Sequence, residues 1–370
     1  MKKSFVVILL IFIFIRVQAQ NNKVNLLVGT YTQSCDSKGI YVYDFNSKTG
    51  DFSFKNATEK VINPSYLTVS KENNFVYSVN EFGTESTVSS FRYNPSSGKL
   101  DLINKKNSKG ADPCYLINDD KNVIVANYSG GNISVFGKNH DGSLAEAKQV
   151  IQHYGKGTNA QRQEGPHVHM VYFSPDNNFV LSNDLGNDNV YSYAYNPNAE
   201  HNVLELKDSI SVKLGSGPRH LTFSKNGKFV YLLRELDGAI TVFSYSNGIL
   251  AKIDETSILA KDFKGTFSSA DIHISPDGKF LYASNRGEAN NITIFKILKN
   301  GKLQLKGQNS TLGKGPRNFA IDPSGNFLLV AHQYTNDVVI FKRNKKTGLL
   351  ADTGKKIALC SPVCLVFTKN

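Results

Sequence analysis

One pattern recurs along this chain at intervals of about fifty residues, and it limits the possible folds more than any other feature. Each copy has an apolar strand opened by proline or its equivalent, a polar turn, an aromatic-rich strand, a short loop, a strand ending in Phe, and a further turn and strand. The clearest copies are PRHLTFSKNGKFVYLLRELDGAITVFSYSNGIL from Pro218, ADIHISPDGKFLYASNRGEANNITIFKILKNGKL from Ala270 and PRNFAIDPSGNFLLVAHQYTNDVVIFKRNKKTGLL from Pro316. Weaker copies open at Pro64, Pro113 and near Val168, so six units fit between Pro64 and Pro362. Four strands per unit at this period mark a β-propeller, whose blades bury their faces only by stacking.

The two ends of the chain complete the count. PVCLVF, from Pro362 to Phe367, matches only the first strand of a unit, while LLVGTYT and GIYVYDF near the N-terminus match the second and third. Together they make one split blade. The expected fold is therefore all-β, a seven-bladed β-propeller of four-stranded antiparallel blades, one of them closed by N- and C-terminal strands. Such closure removes the exposed sheet edges an open array would carry. Turns such as Asp277-Gly278 and Ser324-Gly325 suit antiparallel hairpins. A large β-sandwich has no reason to repeat at a fixed fifty.

The first residues, MKKSFVVILLIFIFIRVQAQ, join two lysines to an apolar run from Phe5 to Ile15 and a small residue, Ala19. That pattern predicts a signal peptide over residues 1–19 and an exported single propeller domain over 20–370, with no stable membrane insertion after cleavage. The net charge is +12, but the lysines are scattered through surface turns and form no basic stripe, so no nucleic-acid partner is expected. Cys35, Cys114, Cys360 and Cys364 match no zinc spacing and allow at most two disulfides, with the pairing open. A monomer or weak dimer is expected.

In a propeller the first strand of each blade lines the central channel, and its start meets the end of the second strand at one face. Aligning the copies on their first turn fills the start position with Ser65, Cys114, His169, Arg219, Ala270, Arg317 and Val363, and the end position with Glu81, Tyr128, Leu185, Glu235, Arg286, Gln333 and Tyr31. His169, Arg219, Glu235, Arg286 and Arg317 come from four consecutive blades. A repeat alone asks for small or apolar residues there. Three arginines against one glutamate leave a net cationic cluster, which is costly in a sheltered place unless an anion binds.

Further candidates surround this ring. Arg162 lies in the Gly-rich connection 155–165, a plausible binding loop. His167 stands two residues before His169, where it can bend over the channel. Asn285 and Asp184 precede the second-ring position by one residue. The run from Asp184 to Asp188 lacks the twelve-residue loop and terminal glutamate of a calcium site, so it reads as a turn. His167 and His169 lack a third metal ligand and have arginines for neighbours, so no metal is expected. His220 faces away from Arg219 and reads as a packed, hydrogen-bonded histidine.

Several segments in order resemble the seven-bladed lactonase family, which includes the propeller-type 6-phosphogluconolactonases and the fungal 3-carboxy-cis,cis-muconate lactonizing enzyme. They are VGTYT (28–32), NPSYL (63–67), PCYL with VANYSGGNISVF (113–136), RQEGPHVH (162–169), DLGNDNVYSY (184–193), GPRHLTF (217–223), SNRG with ITIF (284–295) and GPRNFAIDPSGNFLLVA (315–331). The resemblance covers essentially the whole chain after the leader. It implies cofactor-free chemistry on a lactone, and by motif it places the family's active-site histidine, two arginines and glutamate on His169, Arg219, Arg286 and Glu235. The expected partner is a small anionic or sugar-derived lactone. His169 or Glu235 would act as general base on water, while Arg219 and Arg286 hold the anionic group and the oxyanion. Arg317, Arg162, His167, Asn285 and Glu81 are the expected substrate-binding residues. The alternatives are a muconate-type lactonizing cycloisomerase and a non-enzymatic propeller that binds a ligand or protein.

Overall fold

The structure is a computed structural model that describes residues 22–369, so the signal expected over residues 1–19 lies outside the described residues. Its strands form seven four-stranded sheets. The strand Pro362–Lys369 pairs with Lys23–Thr30, followed by Ile40–Asn46 and Phe52–Ala57, which makes the split blade, here blade 1. Blades 2 to 7 span 66–107, 113–152, 168–211, 218–257, 267–310 and 316–358. Within each blade the strands run antiparallel in sequence order. Neighbouring inner strands touch all the way round, so the ring is closed.

Burial follows each strand's place in its blade. The second strand of blade 5, FVYLLR (Phe229–Arg234), lies between two blades and is buried almost throughout, whereas the outermost strand ILAKIDETS (Ile249–Ser257) is mostly exposed. Strands covered on both faces read as continuous apolar runs, and outer ones as mixed. Blades are tied by a repeated contact. The Phe that opens one second strand packs on a turn glycine of the next blade, as in Phe75 on Gly142, Phe229 on Gly301 and Phe280 on Gly348. These glycines have φ of +81 to +86° and no room for a Cβ. Tyr231 and Tyr282 reach across the same seams to the carbonyls of Gly301 and Gly348, at 2.9 and 2.7 Å. The last seam, between blades 7 and 1, uses Phe327 on Gly50.

Blade 1 carries a covalent clasp. Cys35, in the loop after Thr30, is disulfide-bonded to Cys360, two residues before the inner strand, while Cys114 and Cys364 are buried free thiols. Among the described residues no helix is long and apolar enough to cross a membrane.

One irregularity of the inner strands bears directly on function. The pairing register slips between Pro113 and Tyr115, Val168 and Met170, Pro218 and His220, and Pro316 and Asn318. The skipped residues are Cys114, His169, Arg219 and Arg317. A β-bulge leaves one residue out of the ladder and re-aims its side chain. In these four blades the start position found by aligning the repeats is thus a bulge position, which is why the residues there leave the blade face and meet at the channel mouth.

Candidate active site

Glu235, directly after the second strand of blade 5, is the centre of the charged cluster. Its Oε2 accepts from Arg219 Nε at 2.8 Å and stands 3.2 Å from Arg286 Nη2; its Oε1 accepts from Arg162 Nη2 at 2.7 Å and from Ser268 Oγ at 3.1 Å. Burial pushes the Glu235 carboxyl up, but Arg286, Arg219 and Arg162 together hold it far below the usual carboxylate range. The carboxylate accepts three hydrogen bonds and is ion-paired to Arg286 besides. Glu235 is therefore a fixed anion that organises three guanidinium groups.

The arginines differ in exposure. Arg219 is buried beneath Glu235, its Nη1 donating to the carbonyl of Ala270. Arg286 is anchored by Nε to the carbonyl of Ser268 at 3.1 Å and by Nη2 to Ser268 Oγ at 2.7 Å. Burial draws its guanidinium down to about 10, against the pull of Glu235. Arg162 arrives from the connection between blades 3 and 4, and 40% of its side chain stays exposed. That connection is closed at its base by one carboxylate: Asp184 Oδ2 holds His153 Nδ1 at 2.8 Å, and Asp184 Oδ1 accepts from His167 N, also at 2.8 Å. Residues 154–166 thus form a loop clasped at both ends, with Arg162 laid over Glu235.

Arg317 differs from the other three. Its guanidinium lies over the Tyr31 ring, 5.5 Å from the centroid, and makes no hydrogen bond or ion pair among the described residues. Tyr31 in turn donates to Glu81, which also accepts from Ser65 Oγ. Burial raises the Glu81 carboxyl against the pull of Arg317. The mouth therefore holds two glutamates in opposite states, one pinned as an anion and one shifted toward protonation.

His169 lies between these groups. Its Nδ1 is 3.7 Å from Cys114 Sγ, and the Tyr128 and His220 rings stand edge-on at 5.3 and 5.2 Å. Burial, then Arg219, His220 and Arg317, keeps the imidazole well below its ordinary pKa, so it is neutral at physiological pH. The Cys114 thiol donates to the His169 carbonyl at 3.4 Å, and burial raises it far out of thiolate range. With the S–H directed at a backbone carbonyl, the sulfur is an acceptor for Nδ1–H at 3.7 Å, and the tautomer that matches this contact carries its lone pair on Nε2, which has no hydrogen bond among the described residues.

Beneath the cluster, residues from six of the seven inner strands form a hydrogen-bonded and aromatic floor. Asp271 bonds His220 at 2.8 Å, His273 at 2.9 Å and Asn318 at 2.6 Å, and Asn318 Oδ1 accepts from Leu365 N of blade 1 at 2.7 Å. The Tyr66 and Tyr115 rings pack 4.0 Å apart, with Tyr115 against His220. The site is a cup at this mouth of the channel. A cavity of about 270 Å³ lies in it, lined by His169, Glu235, Arg162, Arg286, Arg317, Glu81, Cys114, Tyr128, Asp112 and Ser129.

Most residues expected from the sequence meet around this cavity: His169, Glu235, Arg286, Arg317, Arg162 and Glu81. Three do not line it. Arg219 lies behind Glu235 and is ion-paired to it, away from the cavity wall where the other arginines stand. His167 does not bend over the channel; it is stacked on Tyr128 at 4.4 Å and held by Glu164 at 3.1 Å. Asn285 is buried, accepting from Ser268 N at 3.1 Å, and acts through that serine. His220 is packed and hydrogen-bonded as expected, and Asp184 serves a turn through bonds from Gly186 N and Asn187 N. Cys114 and Tyr128 stood in the aligned rings without being singled out, because neither carries charge. Ser268 was missed, although it stands two residues before a ring position, as His167 does. Among the described residues no group of three or more His, Cys, Asp or Glu is placed to hold a metal ion.

A seven-bladed propeller with a cup lined by arginines around a neutral histidine defines a class of protein with a cationic small-molecule cavity at its channel mouth. Comparison with known proteins gives the family. Residues 25–367 match the family described as lactonase, 7-bladed beta-propeller. A 6-phosphogluconolactonase of Formosa agariphila is 39% identical over 332 residues, covering 88% of this chain and 94% of the relative; that of Bacillus subtilis is 33% identical over 345 residues, covering 92% and 97%. The solved structure of the periplasmic gluconolactonase PpgL of Pseudomonas aeruginosa superposes with a TM-score of 0.88 at 34% identity, over 94% of this chain and 99% of that one. A crystal structure from Bacteroides fragilis reaches 0.91 at 43% identity, over 95% and 99%. The chain belongs to the seven-bladed β-propeller lactonase family.

Proposed function

We propose that the protein is a lactone hydrolase of the 6-phosphogluconolactonase type that opens an anionic or sugar-derived lactone in the cup. The observation that carries this reading is a neutral His169, its Nε2 unbonded, on a cavity that the unpaired Arg317 also lines. His169 Nε2 takes a proton from water while the water oxygen adds to the lactone carbonyl carbon. The carbonyl π pair moves to oxygen, and that oxyanion is met by Arg317, whose guanidinium lies over the Tyr31 ring and has no competing acceptor among the described residues. As the tetrahedral intermediate collapses, the ring C–O bond breaks and the departing alkoxide takes the proton back from His169. The environment that depresses its pKa makes the imidazolium a strong acid, which favours this return. Arg286 and Arg162, held by Glu235, take the substrate's anionic group, and Glu81 contacts its hydroxyls.

This assignment gives His169, and not Glu235, the role of base. It also makes Arg219, Asn285 and His167 positioning residues. Export rests on the leader-like segment over residues 1–19; the Cys35–Cys360 disulfide, a bond that persists in oxidising compartments, supports it, as does the similarity to a periplasmic gluconolactonase.

The test is a pH-stat assay of the mature protein on 6-phosphogluconolactone, gluconolactone and a set of acidic lactones. The expected result is release of product acid, lowered about 10²- to 10⁴-fold by His169→Ala, the range for loss of a general base. No acid released from any of them would sink the reading.

A further inference from the structure

A second, larger cavity of about 510 Å³ adjoins the reaction cavity at the same mouth, and the two share Glu81 and Asp112 as a common wall. The reaction cavity, at about 270 Å³, holds roughly nine waters at about 30 Å³ each, space for one lactone ring with its attacking water. A lone monosaccharide lactone therefore leaves the larger space unused.

The chemistry of that space differs from its neighbour's. It is lined by no cation. Its walls carry the side-chain amides of Gln33 and Gln333, the Tyr31 hydroxyl and the Phe82 ring, whose residue is 48% exposed. Neither glutamine amide makes a hydrogen bond among the described residues. Free amide donors and acceptors, an aromatic face and bordering carboxyl groups suit the hydroxyls and C–H faces of a neutral sugar; an anionic group would find no cation in this lining. The wall is also held in place. The loop bearing Gln33 and Ser34 is joined through the Cys35–Cys360 disulfide to the segment bearing Ser361. A wall fixed before binding loses little freedom when a ligand arrives.

We infer that this cavity is a glycosyl subsite, and that the preferred substrates are lactones carrying a further neutral sugar, such as aldobionolactones. The inference rests on the lactonase reading of the adjoining cavity. Hydrolysis is unchanged by it: water still adds at the lactone carbonyl, the ring C–O bond still breaks, and the glycosidic bond stays intact.

The experiment compares kcat/KM for cellobionolactone and gluconolactone, in the parent protein and in a Gln33→Ala, Gln333→Ala variant. The expected result is at least a tenfold preference for cellobionolactone, lost in the variant through a raised KM, with gluconolactone turnover unchanged. Equal rates on the two lactones in the parent, or an equal loss on both in the variant, overturn the subsite and leave the lactonase reading standing. If neither lactone is hydrolysed, the lactonase reading fails instead. The subsite is then decided by calorimetric titration with cellobionic acid, where a tenfold weakening in the variant supports it and unchanged binding overturns it.

Discussion

At the scale of single residues, the site divides its labour between two groups that look interchangeable in a sequence. A histidine at a start position and a glutamate at an end position are both candidate bases, and only their partners separate them. Glu235 is ion-paired to three arginines, which hold its carboxyl far below the range of a base near neutral pH. His169 has one ring nitrogen 3.7 Å from Cys114 Sγ and makes no hydrogen bond through the other among the described residues. With His169 as base, kcat/KM stays flat as pH falls through about 6.5, and its acid limb lies well below that ordinary value. Glu235→Gln lowers the rate but keeps an acid limb, whereas a base at Glu235 would lose it; a pH–rate profile of the two proteins reads the difference. Arg317→Gln removes the cavity-lining guanidinium that has no hydrogen bond or ion pair among the described residues, and is expected to cost about 10² to 10³ in kcat, the range for a lost oxyanion donor. Charge made these residues visible in the sequence. Cys114, Tyr128 and Ser268 act through contact and hydrogen bonding alone, and nothing in an uncharged side chain signals that without coordinates.

Among elements, the bulge is what converts a repeat into a site. Aligning the copies found the ring because every copy spends one residue there, yet the sequence offers no cue that the residue is unpaired; the register slip at Arg219 or Arg317 shows only in the ladder itself. The same limit explains His167 and Asn285. Their distance from the ring along the chain was legible, but the direction of each depended on neighbours brought by other strands: Tyr128 for one and Ser268 for the other. The loop over residues 154–166 was legible as Gly-rich, while its clasp on Asp184 was not. Asp184→Ala releases both ends of that loop. It is expected to raise KM for an anionic lactone several-fold more than it lowers kcat, because Arg162 loses its fixed place while His169 keeps its own. At the blade seams, Gly348→Ala meets both a φ of +81° and the Phe280 ring, and is expected to destabilise by roughly 1–3 kcal/mol in denaturant titration.

For the whole molecule, stability depends on closure and on the floor. The disulfide joins residues 325 apart, and chain-entropy arguments give such a long loop on the order of 5 kcal/mol, so Cys35→Ser with Cys360→Ser should lower the denaturation midpoint clearly. Acid weakens the floor. Burial, then Arg219, pulls His220 down to about 4 against the hold of Asp271, so its neutral form belongs to the folded state. A folded pKa below the unfolded 6.5 means that its contribution is complete above pH 6.5 and is lost as pH falls from there toward about 4, roughly 3 kcal/mol for a shift of that size. His273, lowered by burial but raised further by Asp271, works the other way. A urea midpoint that falls from pH 7 to pH 4.5, with the fall reduced in His220→Gln, is the expected outcome.

The cationic wall of the cup also bears on how a reaction there would end. Opening a neutral or anionic lactone adds one negative charge to whatever was bound, so the product that leaves is more anionic than the lactone that entered past the same arginines. Turnover is thereby tied to escape. The acid formed is the natural competitor for the vacant cup, and Arg162, with 40% of its side chain exposed on the cavity wall, is open to both.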